Sequence, residues 1–333
     1  MKNLKNQIMN KNNSVFIVAE AGINHNSDMK IAKQMIESAS KCGADAIKFQ
    51  TIIPDELFSA KLNPELYEMS KDWVLSTKQH RELKNHAKKH NIEFFSTPFG
   101  TKSVKILKDV GIKIIKIASG DMNNFQLIQE ASNLKIPLII STGMSTFSEI
   151  SSTVEFVKSL KREFILLHCN SSYPTPLRDV NLSTIPFLRK TFDIPIGYSD
   201  HTLGIESCLG AVSLGACTIE KHFTLDKNMP GPDQKLSSDP EEFSNLVKSI
   251  RKIEKTIGTP RSNFTASEKN FRKSMRKSVG VTRNIKKGEI LKKNDLAVFR
   301  PGTGIPPNML NNLVGMKVQK SIKKGSVLNW KCF

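Results

Sequence analysis

Short apolar runs recur along the chain, each followed by a segment whose apolar positions fall three and four residues apart. The runs are Val15–Glu20, Ala46–Thr51, Glu93–Thr97, Ile114–Ser119, Pro137–Thr142, Phe164–Cys169, Ile194–Ser199 and Thr218–His222. Runs of this length, apolar on both faces, read as buried strands of a parallel sheet. The intervening segments predict helices over about 28–42, 76–90, 100–110, 124–133, 146–160, 181–191, 204–214 and 239–257. Eight such strand–helix units fit the length of an α/β (β/α)8 barrel, with a doubly wound open sheet as the second choice. The long connection over 52–75, with Pro54, Pro64, Tyr67 and Trp73, exceeds an ordinary loop and reads as a functional one.

The pattern stops near Gly258-Thr259-Pro260. This predicts a catalytic barrel over 1–260 and a polar, basic linker over 261–277 holding one short helix from Thr265 to Met275. A turn-rich β domain over 278–333 follows. That last part contains a loose repeat, Ile285-Lys-Lys-Gly288 and Ile322-Lys-Lys-Gly325, and it is too small to be very stable alone.

Composition narrows the class. No apolar run is long enough to span a bilayer, and Met1 to Ser14 lacks the apolar core of a secretory signal; the expected location is cytoplasmic. Five cysteines, none in a C-x-x-C pair, are scattered among apolar positions, which suits reduced, buried thiols. The net charge of +19 invites a nucleic-acid reading. The lysines, however, spread over exposed helix faces, and the one dense cluster, from Arg272 to Lys287, lacks interleaved aromatic residues. Neither nucleic acid nor a membrane is expected as a partner.

Polar residues mark the C-terminal end of every predicted strand, the face on which barrel enzymes keep their chemistry. Lys48 and Lys116 lie inside otherwise apolar strands, and burying them unpaired would cost several kcal/mol. They therefore call for anions. Ligand phosphate or carboxylate is favoured over pairing with a barrel acid such as Asp45 or Glu20, with Thr97 and Ser119 completing a phosphate cradle. His201 and His222 close adjacent strands, each beside an acid, Asp200 or Glu220. Imidazole binds divalent transition metals through one nitrogen while a neighbouring acid or carbonyl orients the ring through the other; two histidines plus water form an open, Lewis-acid type of site. His25 is a third candidate for ligand or substrate contact, and His80, His86 and His90 read as surface residues of a basic helix.

Taken together the motifs resemble the bacterial sialic acid (nonulosonic acid) synthase family. The resemblance rests on Ala19-Glu-Ala-Gly-Ile-Asn-His-Asn26, Ile47-Lys-Phe-Gln-Thr51, Ser96-Thr-Pro-Phe99, Lys116-Ile-Ala-Ser-Gly-Asp121 and Ser141-Thr-Gly-Met144. It continues through His168-Cys-Asn-Ser-Ser-Tyr-Pro-Thr-Pro176, Ser199-Asp-His201, Glu220-Lys-His-Phe-Thr224, Gly231-Pro-Asp233 and Arg300-Pro-Gly302. The match runs in order along nearly the whole chain, and 278–333 is similar to the family's antifreeze-protein-like (SAF) domain.

The resemblance implies condensation of phosphoenolpyruvate with an N-acylated aminohexose, giving a nine-carbon 2-keto-3-deoxy acid and phosphate with C–O cleavage. N-acetylmannosamine is the first choice of sugar, a 2,4-diacetamido-trideoxy hexose the alternative. By the same likeness His201 and His222 match metal ligands, with Mn2+ expected and Mg2+ or Co2+ as alternatives. Glu20 matches the acid/base; Lys48, Thr97, Lys116, Ser119, Ser171 and Ser199 match phosphoenolpyruvate-binding positions; Gln50, Asp121, Tyr173 and Asp233 match sugar-binding positions. Arg300 would reach the sugar in the other subunit of a homodimer whose small domain is swapped. Three positions depart from the family pattern: Asp121 where several relatives carry Glu, Ser171 where some carry Asn, and Gln234 where many carry His. The last two are expected to line the substrate region. The rival readings are a metal-dependent barrel aldolase or phosphatase, and a non-catalytic sugar-binding protein.

Overall fold

The computed structural model describes Asn6 and residues 14–333; apart from Asn6 and Ser14, the segment Met1–Ser14 lies outside the described residues. Eight parallel strands close into a barrel in sequence order. They are β1 (Phe16–Gly22), β2 (Ala46–Thr51), β3 (Glu93–Pro98), β4 (Ile115–Ile117), β5 (Leu138–Ser141), β6 (Phe164–Cys169), β7 (Ile196–Asp200) and β8 (Thr218–His222). The helices begin with α1 (Met29–Cys42), two short helices in the long connection, α2 (Pro54–Leu57) and α3 (Pro64–Lys71), and α4 (Thr77–Lys89). They continue with α5 (Thr101–Val110), α6 (Phe125–Ser132), α7 (Phe147–Ser159), α8 (Thr184–Phe192), α9 (Glu206–Ser213) and α10 (Pro240–Ile257).

Local chemistry sets the helix starts. Asp28 accepts from the amides of Lys30 and Ile31, and Ser76, Thr146 and Asp239 close reciprocal capping boxes with Gln79, Glu149 and Glu242. The long connection is anchored rather than loose: Glu56 accepts from the Lys102 amide at 2.8 Å and the Ser103 amide at 3.1 Å, capping α5. None of its residues lines the main cavity.

Strand periodicity sorts the side chains into two populations. Outward residues such as Ile17, Ile47, Phe49, Phe94 and Ile219 pack with the helices in one large core. Inward residues Phe16, Val18, Ala46, Phe95, Ile114, Ile139, Ile165, Leu167 and Cys217 form a second, enclosed core. Two residues farther toward the C-terminal ends these rows carry Glu20, Lys48, Thr97, Lys116, Ser141 and Cys169, joined by Ser199 of β7 and Glu220 of β8, so the apolar plug is a floor with a polar layer on top. Pairing of Glu20 with Lys48 on β2 and with His222 on β8 puts these three at one level. Asp45 is not at that level: it accepts from the Ile17 amide at 2.9 Å and pairs with Arg251 at 2.7 Å, near the strand starts.

One compact unit ends at Gly258 and a second runs Thr259–Phe333. The stretch read as a linker belongs to the second unit. Its helix α11 (Glu268–Met275) is tied to the following segment by the Gly302 amide on Lys273 O at 2.9 Å and by Arg300 Nε on Met275 O at 3.0 Å. The unit's two-stranded sheet joins β9 (Ser278–Val281) to β10 (Leu296–Phe299). The two repeats pair with each other: the amides of Ile285 and Ile322 each donate to the other's carbonyl at 2.8 Å. Both turn glycines take left-handed backbone, φ 89° at Gly288 and 78° at Gly325, which a side chain would strain.

Candidate active site

The polar layer opens into a cavity of about 350 Å³ at the C-terminal ends of the strands. Four charges alternate across its floor, all at most 5% exposed. Lys48 Nζ lies 2.8 Å from Glu20 Oε2 and 3.6 Å from Glu220 Oε2, and Lys116 Nζ lies 3.2 Å from Glu220 Oε1. Ser199 Oγ donates to Glu220 Oε1 at 2.9 Å, Lys48 Nζ to Thr97 Oγ1 at 3.1 Å, and Gln50 Nε2 to Glu20 Oε1 at 3.4 Å. The expectation that Lys48 and Lys116 lack protein partners is therefore corrected: barrel acids hold both. Asp45 takes no part, and the unexpected member is Glu220, which was read only as a neighbour of His222.

The quartet is electrically balanced but unevenly. Burial raises the Glu20 carboxyl to about 7, against the pull of Lys48 and with help from Glu220. At Glu220 the same burial is outweighed by Lys116 and Lys48, which hold it well below the usual carboxylate range. Burial lowers Lys116, whereas at Lys48 the two carboxylates overcome burial and raise it. The result is one carboxyl able to exchange a proton near neutrality beside one that stays charged.

Beside the quartet Ser119, Gly143 and Ser171 form a small cradle. The Gly143 amide donates to Ser119 Oγ at 3.1 Å, and a β-carbon on Gly143 would collide with Ser171 Oγ and come within 2.8 Å of Ser119 Oγ. Only glycine leaves room for two hydroxyls there.

His201 and His222 face each other with ring centroids 5.4 Å apart. His201 Nδ1 donates to Asn170 O at 2.6 Å, which leaves its Nε2 lone pair free. His222 Nδ1 is buried with no hydrogen-bond partner; Asp233 Oδ2 stands 3.7 Å from it, and burial first, then His201, keeps the ring neutral. At His201 burial is outweighed by the Cys169 thiol and the Asn170 carbonyl, which raise that ring; with its proton on Nδ1 alone, its Nε2 and the free nitrogen of His222 form a pair that suits a divalent transition metal. Among the described residues they form no closed trio with a third acidic or thiol group, which would leave coordination positions for water and substrate. The neighbouring acids do not orient the rings: Asp200 points out of the barrel to Lys221 at 2.6 Å and the Tyr198 hydroxyl at 2.9 Å, and Glu220 serves the lysines. Tyr173 covers both rings, 4.1 Å from His201 and edge-on to His222 at 5.9 Å.

Of the predicted residues, Glu20, Lys48, Gln50, Thr97, Lys116, Ser119, Ser171, Tyr173, Ser199, His201, His222 and Asp233 all line this cavity. Asp121 does not; its carboxylate accepts from Asn124 Nδ2 at 3.0 Å in the turn before α6. Arg300 belongs to the second unit. Gln234 is also outside the lining: fully buried, it donates from Nε2 to Asn24 O at 2.9 Å and accepts from the Thr224 hydroxyl, so it pins the loop that carries Asp233 rather than facing substrate. His25 is buried against Phe49, 5.6 Å between centroids, outside the cavity. His80 is no surface residue but sits in the core, its Nε2 2.9 Å from Thr51 Oγ1. All five cysteines are free and buried, as expected, and Cys169 forms part of the cavity wall.

A (β/α)8 barrel with an acid–base quartet, a hydroxyl cradle and an imidazole pair at its C-terminal mouth, followed by a small β unit, defines the class as a barrel enzyme. Residues 35–262 match the NeuB family and 276–333 match the SAF domain. The chain is 42% identical to N,N'-diacetyllegionaminic acid synthase of Legionella pneumophila, over 95% of this chain and 93% of that protein. It is 35% identical to human N-acetylneuraminate-9-phosphate synthase, over 94% and 91%. The crystal structure of N-acetylneuraminic acid (sialic acid) synthetase from Leptospira borgpetersenii superposes with a TM-score of 0.75 at 42% identity, covering 79% of this chain and 93% of that one. The chain belongs to the NeuB family, with a SAF domain at its C-terminus, and is an enzyme of the synthase type.

Proposed function

We propose that this enzyme condenses phosphoenolpyruvate with the open-chain aldehyde of an N-acylated aminohexose, releasing phosphate and a nine-carbon 2-keto-3-deoxy acid. The observation that carries the reading is the buried quartet of Glu20, Lys48, Glu220 and Lys116 beneath two imidazoles with free nitrogens. Two ammonium groups and the hydroxyls of Thr97, Ser119, Ser171 and Ser199 suit an acid that bears both phosphate and carboxylate. Gln50, Tyr173 and Asp233, on the cavity wall, suit a polyhydroxylated sugar, with Asp121 assigned to the same end by resemblance alone.

C3 of phosphoenolpyruvate attacks the aldehyde carbon, a new C–C bond forms, and the carbonyl oxygen takes up a proton from solvent. C2 is left as an oxocarbenium ion, which water quenches. Glu20, able to hold or release a proton near neutrality, receives the proton from that water. The resulting C2 adduct loses phosphate by C–O cleavage, its hydroxyl proton passing to the departing phosphate as the 2-keto group forms. Lys48 and Lys116 orient the phosphate and carboxylate and stabilise the charge that the departing phosphate carries. Tyr173 shields the imidazole pair from solvent. His201 and His222 would hold a divalent ion, Mn2+ by expectation with Mg2+ or Co2+ as alternatives, which would supply Lewis-acid polarisation of the aldehyde oxygen.

Two sugars fit. N-acetylmannosamine follows from the resemblance to sialic acid synthases and from the Leptospira structure's name; a 2,4-diacetamido-trideoxy hexose is supported equally by the Legionella relative's name. We assign the active form as a cytoplasmic homodimer in which the small domain is swapped and Arg300 reaches the partner's sugar site; no helix among the described residues is long and apolar enough to cross a membrane. The test is incubation of the purified chain with Mn2+, phosphoenolpyruvate and each sugar in turn, reading phosphate release and product mass. A nine-carbon product with one of them supports the proposal; phosphate release that needs no sugar would make the chain a phosphatase, and no turnover with any sugar would favour a binding protein.

A further inference from the structure

The ring of helices around the barrel carries a second group of metal-ligating side chains that the condensation does not use. Glu37 stands in α1. His86 and His90 stand four residues apart at the end of α4, so both imidazoles fall on one face. His86 Nε2 lies 2.9 Å from Glu37 Oε1, and His90 Nε2 lies 3.9 Å from the same oxygen. The two rings are 4.7 Å apart between centroids. Among the described residues this is the one trio of histidine, cysteine or acidic side chains whose ligand atoms all lie within 4.8 Å of one another. Each of the three is half-buried.

We propose that Glu37, His86 and His90 form a binding site for a borderline divalent metal, zinc in the first place, with water completing the shell. Metal–ligand bonds of about 2.0–2.1 Å at tetrahedral angles put ligand atoms roughly 3.3 Å apart. The Glu37 contacts at 2.9 and 3.9 Å bracket that spacing, so closure on an ion needs only side-chain adjustment. Two imidazoles and one carboxylate are a donor set that suits zinc, cobalt or nickel rather than magnesium or calcium.

The frame around the trio is already ordered. Ile36 and Ala39 of α1 and Leu83 and Ala87 of α4 share the outer core. Ser40 Oγ donates to His90 O at 2.7 Å, and Lys33 pairs with Glu82 at 2.5 Å farther along the same seam. Little conformational freedom remains to be lost on binding. Lys33, Lys78, Arg81 and Lys89 border the seam with one acid, Glu82, and their charge opposes a dication.

Position assigns the role. Helices of this fold run antiparallel to the strands, so the end of α4 leads into Glu93 at the start of β3. The trio thus lies toward the barrel's N-terminal end, away from His201 and His222, on the face associated with stability rather than catalysis. The bound ion is a clip between α1 and α4.

The test is a Zn2+ titration by calorimetry under reducing conditions, with thermal unfolding in parallel, on the full chain and on His86→Gln and His90→Gln. The clip predicts one more bound equivalent in the wild type than in either variant. It also predicts a Tm gain on the order of 5 °C at metal one hundred times Kd, lost in both variants, while their metal-free Tm and their turnover match the wild type. His222→Gln keeps the extra equivalent, so the clip is read independently of any metal at the barrel mouth. Equal stoichiometry and equal Tm gain in the wild type, His86→Gln and His90→Gln would overturn the proposal.

Discussion

Glu220→Gln is the most informative single change, because one carboxylate answers two buried ammonium groups and one hydroxyl. The amide keeps the volume and still accepts from Ser199, now 2.9 Å away, so the perturbation is the charge alone. Lys48 retains Glu20 at 2.8 Å, but Lys116 loses the one acid paired with it among the described residues, at 3.2 Å, while remaining 3% exposed. Stranding a buried charge in this way costs about 3–5 kcal/mol, roughly 10 °C in the Tm of a domain this size. Burial already holds the Lys116 pKa below the ordinary lysine value, and without Glu220 it falls further. The unfolded chain then binds more protons than the folded one, so stability rises with pH and the variant's deficit narrows as pH climbs toward the ordinary lysine value. If Lys116 is an anion site, phosphate or phosphoenolpyruvate takes the place of the missing carboxylate. Thermal unfolding with and without saturating phosphate reads both effects. The variant should gain more Tm from phosphate than the wild type does; a variant as stable as the wild type, or one that phosphate rescues no better, would refute the electrostatic account of the floor.

Further outcomes concern His222, Glu20 and Gln234 of the barrel and, through the proposed dimer, Arg300. His222→Ala abolishes metal-dependent turnover and lowers metal stoichiometry at the barrel mouth; full activity would remove the residue from the site. With Glu20 raised to about 7 and acting as a base, kcat/KM climbs with pH through that value, and Glu20→Gln flattens the limb as it slows the reaction. Because the folded state holds that proton more tightly than the unfolded chain, the stability Glu20 contributes is present at low pH and fades as pH passes its folded value. Gln234→Ala strips bonds from Asn24 O and the Thr224 hydroxyl in a fully buried place, costing about 2–3 kcal/mol and raising KM for the sugar through the displaced Asp233 loop, measured by denaturation and steady-state kinetics. Arg300→Ala raises KM for the sugar more than for phosphoenolpyruvate, and equal effects would count against a sugar contact.

The barrel was legible because its strands are apolar on both faces and its helices have capped starts, both of which are local properties. Strand ends were less so: β4 stops at Ile117 because Ser119–Asp121 turns into a short 3-10 segment, which brings Ser119 to the cradle. The quartet was only half visible. Lys48 and Lys116 announce themselves as cations in apolar strands, but the partner of Lys116 lies 104 residues away, and only closure of the ring makes them neighbours. A signal for Glu220 did exist, since it shares the inward parity of His222 on one strand. His80 likewise shares a helix face with Leu83 and Ala87, all buried, a spacing that outweighs the lysines around it. Gln234 offered no such signal: its partners Asn24 and Thr224 come together through a loop, and nothing in the local pattern separates a residue that lines a cavity from one that braces it from behind.

The central claim is that carbon–carbon bond formation and carbon–oxygen cleavage occur together over the quartet. Phosphoenolpyruvate carrying 18O at its bridging oxygen, turned over with Mn2+ and the accepted sugar, tests it directly by mass spectrometry of both products. Carbon–oxygen cleavage puts 18O in the released phosphate, in equal amount to an unlabelled nine-carbon acid. Unlabelled phosphate together with 18O-labelled pyruvate would mean phosphorus–oxygen cleavage without condensation, and would contradict it.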